Sequence, residues 1–309
     1  MDLKQLRAFV TVADTGNVTR AAALLNLVQP AVSRQLRLLE EDMGTELFER
    51  GRHGMQLTPS GRTMLEYARR ILNEVARAKA EIQPTDEPVA GIVSIGLLAR
   101  TSDLLATLLA GEVARRYPHI RLRLTIGYAG HLQEWLEAGD IDAALLYKQK
   151  ETPALHVKAL LEEGLWAVAT PSAGLSHKRP LAFSRVAREP FVLPAAPHGL
   201  RAAIEHAAAE AGVTLNVFAE TNSVNVQKEL VAQGHGWTIL PAVCVKDEVE
   251  RGVLCAAPLA SPGLQRTVVL AAPSSRQATA PVRCVVGALM DCVKITFDQG
   301  RWPDARWLG

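Results

Sequence analysis

Between Asn17 and Glu41 the chain reads NVTRAAALLNLVQPAVSRQLRLLEE, a stretch whose polar side chains are those that read nucleic acid. A helix opening at Gln29 and Pro30 suits proline, which is tolerated in the first turn because no intrahelical bond is lost there. At 3.6 residues per turn Pro30, Ser33, Arg34 and Arg37 share one stripe, and Val32, Leu36 and Leu39 share the opposite one. Arginine forks onto guanine O6 and N7 or onto phosphate, while serine and glutamine bond base edges or backbone oxygens in the major groove. Gln29, Pro30, Ser33, Arg34 and Arg37 form the expected contact set. A solvated amphipathic helix is the commoner fate of such a stripe taken alone; its surroundings favour DNA.

Those surroundings are the elements that must hold the stripe in place. Leu3, Leu6, Phe9, Val10 and Ala13 predict a first helix that stops near Thr15 and Gly16, where glycine suits a left-handed cap. Asn17 or Thr19 can cap the next helix, in which Ala21, Ala22 and Ala23 allow close crossing and Val18 and Leu25 face inward. This is helix-turn-helix packing. Downstream, Leu47, Phe48, Met55 and Leu57 bracket Arg50, Gly51, Arg52, His53 and Gly54, a pattern for a winged hairpin whose Arg50 and Arg52 reach phosphate or a minor groove, with His53 a loop residue. Thr58 and Pro59 then have the form of a cap and first helical residue. The helix they open carries Leu65, Ala68, Leu72, Val75 and Ile82 near heptad spacing, which suits dimerisation, and it ends at a hinge over Gln83 to Pro88.

Placement of charge matters more than its sum. The 309 residues carry a net charge of +2, and over residues 1 to 60 seven cations balance seven anions. The acids sit mainly after the recognition stripe, leaving the arginines gathered on the expected DNA face. Met1 leads directly into an amphipathic helix and no apolar run approaches membrane length, so a cytoplasmic location without membrane association is expected. The four cysteines, Cys244, Cys255, Cys284 and Cys292, lack metal-type pairing and read as buried thiols with no cation placed beside them in sequence.

From residue 89 the pattern changes to strand, helix, strand. GIVSIGLL, IRLRLTIG and IDAALLY read as strands around helices over Asp103 to Arg116 and His131 to Glu137. A second unit offers LWAVAT, PFVLPA, LNVFAET and GWTILP as strands with helices over Arg201 to Ala211 and Val224 to Gln233, before TVVLAAP and a helix over Val282 to Phe297. The expected fold class is α/β: an N-terminal winged helix-turn-helix (1–58), a linker helix and hinge (59–88), and two Rossmann-like α/β sub-domains with mostly parallel sheets (89–161 plus 267–296, and 162–266), followed by a tail (297–309). Two strands crossing between the sub-domains, around residues 160 to 166 and 264 to 268, make a hinged cleft. Trp302 and Trp307 in the tail are expected to pack on the body or on a neighbouring subunit.

Gln29 to Ser33 with Gln35, Leu39 and Glu40 with Gly44, Leu47 and Phe48 with Arg50, and Leu57 and Thr58 with Gly61 follow one running pattern over some sixty residues. The pattern resembles the amino-terminal domain of the LysR-type transcriptional regulators. Val28 departs from it, since the family commonly places serine there; a helix cap is then missing or shifts to Asn26. Arg116-Tyr117-Pro118, Gly139 to Ala143 and Gly234 to Pro241 resemble the same family's effector-binding domain, itself similar to periplasmic solute-binding proteins. GYAGHLQEWLEAGDIDAALLY and RWPDARWLG are similar to the branch of nitrogen-assimilation control regulators.

The resemblance implies an allosteric transcriptional regulator, an activator rather than an enzyme. It would bind an inverted repeat of double-stranded DNA as a homodimer or homotetramer, act with RNA polymerase, and hold a small-molecule co-inducer between the sub-domains. Carried over by local motif, the effector positions are Arg100, Thr101 and Ser102; Ala129, Gly130 and His131; and Pro197, His198 and Gly199. Helix starts there offer unpaired N–H groups to an anion, while Thr101, Ser102 and Asp103 can equally be simple caps. Arg100 can supply a counter-charge or pair with an acidic neighbour. No metal site, resident cofactor or catalytic group is expected. The competing class is a cytoplasmic small-molecule-binding protein or enzyme on the same α/β body, against which stands the lack of a phosphate-cradling loop, metal spacing or nucleophile elbow.

Overall fold

The computed structural model describes residues 1–51, 54–82, 89–148, 152–196, 198–260, 264–274 and 278–309. The chain divides into two compact units, Met1–Gly91 with residues 138–140 and 279–281, and the remainder.

The first unit opens with α1 (Leu3–Thr15), whose Asp2 side chain accepts from the Lys4 and Gln5 amides while Gln5 bonds back to Asp2. This reciprocal cap satisfies donors that the helix start would otherwise leave orphaned. Gly16 closes it in the left-handed region. Asn17 caps α2 (Val18–Leu24), and α3 (Gln29–Met43) ends at left-handed Gly44. The wing is β1 (Phe48–Gly51) paired antiparallel with β2 (Gly54–Leu57), with Gly51 opposite Gly54. Gly54 serves two needs: its φ is +104°, and a Cβ there would lie 2.5 Å from the Gly16 carbonyl oxygen. That close approach lets the Met55 amide donate to Gly16 and ties the wing to α1. Glu40 accepts from the Leu47 and Phe48 amides, fastening α3 to the wing's first strand.

Thr58 caps the long helix α4 (Pro59–Ile82), its hydroxyl accepting from the Gly61 amide at 2.9 Å. Phe9, Val12, Val32, Leu36 and Leu39 are buried together with Leu47, Phe48, Met64 and Ala68. Ala68 and the partly buried Leu65 and Leu72 therefore face this core, so part of the heptad stripe serves the winged domain itself. Ile82 lies outside the residues whose side chains are described, and the hinge over Gln83 to Pro88 lies outside the described residues.

The second unit runs β3 (Gly91–Leu97), α5 (Ala99–Arg116), β4 (Ile120–Ile126), α6 (Ala129–Ala138), β5 (Ala143–Tyr147) and the long β6 (Leu155–Ala169). It continues α7 (Phe183–Val186), β7 (Pro190–Pro194), α8 (Gly199–Glu210), β8 (Asn216–Thr221), α9 (Val224–Ala232), β9 (Thr238–Pro241), α10 (Lys246–Glu250), β10 (Cys255–Pro258), β11 (Gln265–Pro273), α11 (Ala280–Asp298) and β12 (Ala305–Trp307). The mostly parallel sheet expected from the alternation of elements is not what forms. β3–β5 and β7–β8 are parallel, but every described pairing of β6 and β11 is antiparallel. The reason lies in β6, which pairs with β11 from Leu155 to Gly164 and then with β9 and β10, inserting an antiparallel spine between parallel flanks.

The helix starts also differ from expectation. α5 begins at Ala99 rather than Asp103, and α6 at Ala129 rather than His131. β10 and β12 carry little alternation of their own, and pairing along β6 decides them. Trp302 is buried against the body, and Trp307 lies 5.6 Å from the Phe297 ring, so both tail tryptophans pack on their own chain.

Candidate nucleic-acid interface and effector cleft

On α3 the sorting of faces holds. Val32, Leu36 and Leu39 are buried, whereas Gln29, Pro30, Arg34 and Arg37 are exposed and Ser33 is half-buried. Within the expected contact set the side chains are not equivalent. Gln29 Nε2 donates to Ser33 Oγ at 3.0 Å, so these two present themselves as a preordered pair. Arg37 sits 3.5 Å from Glu41, one turn along. Among the described residues Arg34 pairs with no carboxylate, which leaves its guanidinium able to fork onto an acceptor on DNA. The side chain of Arg50 and the whole of Arg52 lie outside the described residues. Leu24, Leu27 and Val28 stand exposed around the start of α3, an apolar rim that a search for polar groups passes over. In DNA, thymine methyls are the apolar counterpart of such a surface.

Val28 occupies the N-cap position of α3 and makes no side-chain cap bond. Asn26 does not replace it; it takes a left-handed φ of 53° inside the turn. Val28→Ser is expected to stabilise the protein by about 1 kcal/mol, because serine accepts an amide there and the 69% exposed valine gives up almost no packing. A shift in the urea midpoint at unchanged slope measures it.

In the second unit the residues carried over for the effector lie at the starts of α5, α6 and α8. Arg100, in the first turn of α5, donates to Asp103 at 2.9 Å and to the Val243 carbonyl at 2.9 Å, bridging 143 positions of sequence. Its buried Nε has no partner among the described residues. Arg100 thus has the acidic neighbour that one of its two sequence readings names, with an added bond across the fold. Thr101 and Ser102 do not cap α5: Leu98 is the N-cap, and the two hydroxyls donate back to the Leu98 and Ala99 carbonyls at 2.8 and 2.6 Å.

Ala129, Gly130 and His131 form the first turn of α6, preceded by Tyr128. The Tyr128 ring lies 5.9 Å from His131 and edge-on to His198 at 5.7 Å, so the starts of α6 and α8 meet. His198 is the side-chain cap of α8, its Nδ1 accepting from the Leu200 amide at 3.2 Å, and Gly199 is the first helical residue. Pro197 lies outside the described residues.

Burial, reinforced by the positive charge of Arg266, lowers His198 from its ordinary value of 6.5 to about 4. A neutral imidazole is also what the cap needs, since protonation would remove the acceptor. The histidine's folded value lies below its unfolded one, so its contribution is complete above about 6.5 and is lost as pH falls through about 4. His198→Asn, which keeps a capping oxygen without titrating, is expected to flatten the decline of stability between pH 6.5 and 4. Denaturation midpoints across that range test this.

Further residues join this region without having been singled out in sequence. The Arg266 guanidinium lies 3.1 Å from the centroid of the Tyr147 ring. Glu163, opposite Arg266 in the β6–β11 register, is buried, and burial raises its carboxyl although Arg266 and the Trp302 indole oppose that rise. Buried Lys228 reaches Glu248 at 2.5 Å. Charges inside apolar strand runs, as in LLEEGLW, were the available signal, because a buried charge persists only with partners.

The cysteine expectation needs two corrections: Cys255 and Cys284 are half-buried rather than buried, and Arg100, Arg266 and Lys228 are cations near Cys244, brought there by folding. Burial nevertheless dominates and pushes that thiol up to about 12. All four cysteines are free, with Cys244 and Cys292 buried. Among the described residues no helix is long and apolar enough to cross a membrane.

Comparison with known proteins places both halves. Residues 3–62 match the pattern of "Bacterial regulatory helix-turn-helix protein, lysR family", and residues 86–292 match that of "LysR substrate binding domain". The HTH-type transcriptional regulator BbuR of Bordetella bronchiseptica is 30% identical over 98% of this chain and 93% of its own length. The nitrogen assimilation regulatory protein nac of Klebsiella aerogenes is 29% identical over 78% of each, and the similarity to BbuR means that identity singles out no branch. Among solved structures, a full-length OxyR variant from Pseudomonas aeruginosa shares the fold with a TM-score of 0.72 at 22% identity, covering 96% of this chain and 95% of that one. CbnR in complex with its target DNA does so with a TM-score of 0.68 at 21% identity, covering 96% and 100%.

Proposed function

This chain belongs to the LysR family and is a DNA-binding transcriptional regulator with a small-molecule effector-binding domain, not an enzyme, and from that premise we propose which residues do the work. α3 enters the major groove with Gln29, Pro30, Ser33, Arg34 and Arg37, while Arg50 and Arg52 of the wing reach the backbone or minor groove. The observation that carries this reading is the exposed Arg34, paired with no described carboxylate, in the middle of a face whose opposite side is core. The target is an inverted repeat bound by a homodimer or homotetramer held through α4. The protein acts in the cytoplasm as an activator working with RNA polymerase.

The effector is an anion held where α5, α6 and α8 begin, by Arg100, Thr101, Ser102, Ala129, Gly130, His131, Pro197, His198 and Gly199. Supporting this is the half-buried Arg100, whose buried Nε has no described partner and whose guanidinium spends one donor on a neutral carbonyl that a carboxylate outcompetes. A ligand that redirects Arg100 favours one arrangement of the cleft over another, and linkage then makes effector and DNA affinities reciprocal.

The test is fluorescence anisotropy of the full chain against its own upstream intergenic DNA and a scrambled duplex over a salt series. Tight, steeply salt-dependent binding to the upstream probe alone is expected. Equal, weak binding to both overturns the operator assignment.

A further inference from the structure

Leu160 to Gly164 is the last stretch of β6 to face β11, just before its partners change, and its backbone is bonded on both edges. Toward one edge Leu165 donates to Leu264 at 2.9 Å and accepts from Leu259, in line with β11 and β10. The opposite edge is filled by the tail. Gly164 donates to Asp304 at 3.0 Å, Leu308 donates to Leu160 at 2.9 Å, and Arg306 stands opposite Glu162. Beyond that point β9 takes over the pairing, from Leu165 onward. Without the tail, that edge would expose unpaired backbone groups at the very residues that carry the chain from one set of partners to the other.

Side chains lock the same register. Buried Trp302 donates its indole N–H to Glu163 at 3.0 Å, and Arg306 reaches Glu162 at 2.9 Å. Asp304, at a left-handed φ of 53°, turns its carboxylate onto the Trp166 indole at 2.5 Å, beyond the crossover. Trp307 anchors the far end on α11, where the Lys294 ammonium lies 5.4 Å from its ring centroid and 5.5 Å from that of Phe297. The segment thus grips β6 before, at and after the point where a hinge must flex.

The geometry points to the tail, residues 301–309, as a splint that sets how freely the crossover strand bends and hence how readily the effector cleft opens. This rests on the cleft reading given above. A hinge absorbs its motion in a few backbone dihedrals, and bonding both edges of those residues removes that freedom. Undocking the tail restores it.

Amide hydrogen exchange of the full chain tests the splint without ligand or DNA, so its failure leaves the regulator reading untouched, and failed DNA binding leaves the exchange pattern standing. Trp302→Phe keeps an aromatic ring and removes the donor to Glu163. Gly164→Ala attacks from the opposite side, since a Cβ there overlaps the Asp304 carboxylate. In both variants the Glu162 and Gly164 amides are expected to exchange at least ~10-fold faster, together with Ser102 and Leu200 at the cleft's helix starts, while Leu145 and Val192 in the sheet interiors hold. Three results overturn the proposal: no change at Glu162 and Gly164, acceleration confined to them, or uniform acceleration that includes Leu145 and Val192.

Discussion

Phe9→Ala is expected to destabilise the winged domain by about 3–5 kcal/mol, the range for truncating a fully buried phenylalanine. Phe9 is 0% exposed and its ring centroid lies 5.1 Å from that of Phe48, so it joins α1 to the first strand of the wing. The cavity left behind cannot close easily. Its walls are α1, α3 and the wing, already fastened by the Gly16–Met55 backbone bond and the Glu40 carboxylate. Total domain stability is of the order of 5–15 kcal/mol, so most of it would go, and with it the geometry of the DNA face. Phe9→Leu keeps most of the volume and is expected to lose much less. Urea denaturation followed through the first unit's amides measures both. A Phe9→Ala loss below about 1 kcal/mol would show that the core relaxes around the site.

Arg34→Ala is the second large effect, an expected loss of about 1–3 kcal/mol in operator affinity at unchanged thermal stability. The fold does not depend on this side chain, which is exposed and pairs with no described carboxylate. The way the loss distributes identifies the contact. A base contact lowers specific binding and relaxes discrimination at one position, whereas a phosphate contact weakens all sequences alike and reduces the salt slope by about 1. Arg37→Ala is expected to lose less, because Arg37 must first leave Glu41. Operator affinity indistinguishable from that of the unaltered protein would remove Arg34 from the interface.

Much of the first unit was legible in sequence because its signals are local. Gly16 as a left-handed stop, Asn17 and Thr58 as caps, and the 3.6-residue sorting of α3 all act within a turn or two of the chain. The candidate DNA face could be read for the same reason, since one helix carries it. Where local signals were ambiguous the reading slipped. Thr101 and Ser102 have the chemistry of caps, yet the apolar Leu98 precedes the helix and their hydroxyls turn back onto carbonyls.

The candidate effector region was harder to read because its parts come from distant segments. Arg100 meets Val243, Tyr128 meets His198, and Arg266 meets Tyr147 through the packing of elements that the spacing of residues does not relate. Periodicity could supply the strands but not their neighbours. The antiparallel spine of β6 and β11 was therefore missed, although both strands are recognisable in part and their crossing between sub-domains was expected.

The sequence by itself determined which of the longer helices form, which faces of the first unit's helices are core, where the arginines gather, and a family resemblance strong enough to imply regulation of transcription. Tertiary structure alone decided that Arg34 stands without an ion pair among the described residues while Arg37 has one, that Arg100 is engaged across the fold, and that an unremarkable tail lies along β6 with Trp302 on Glu163. The physical reason is range: helix caps and amphipathic stripes are settled by neighbours within about four residues, whereas the partner of a buried charge or an open strand edge is settled by whichever distant segment the folded backbone brings against it.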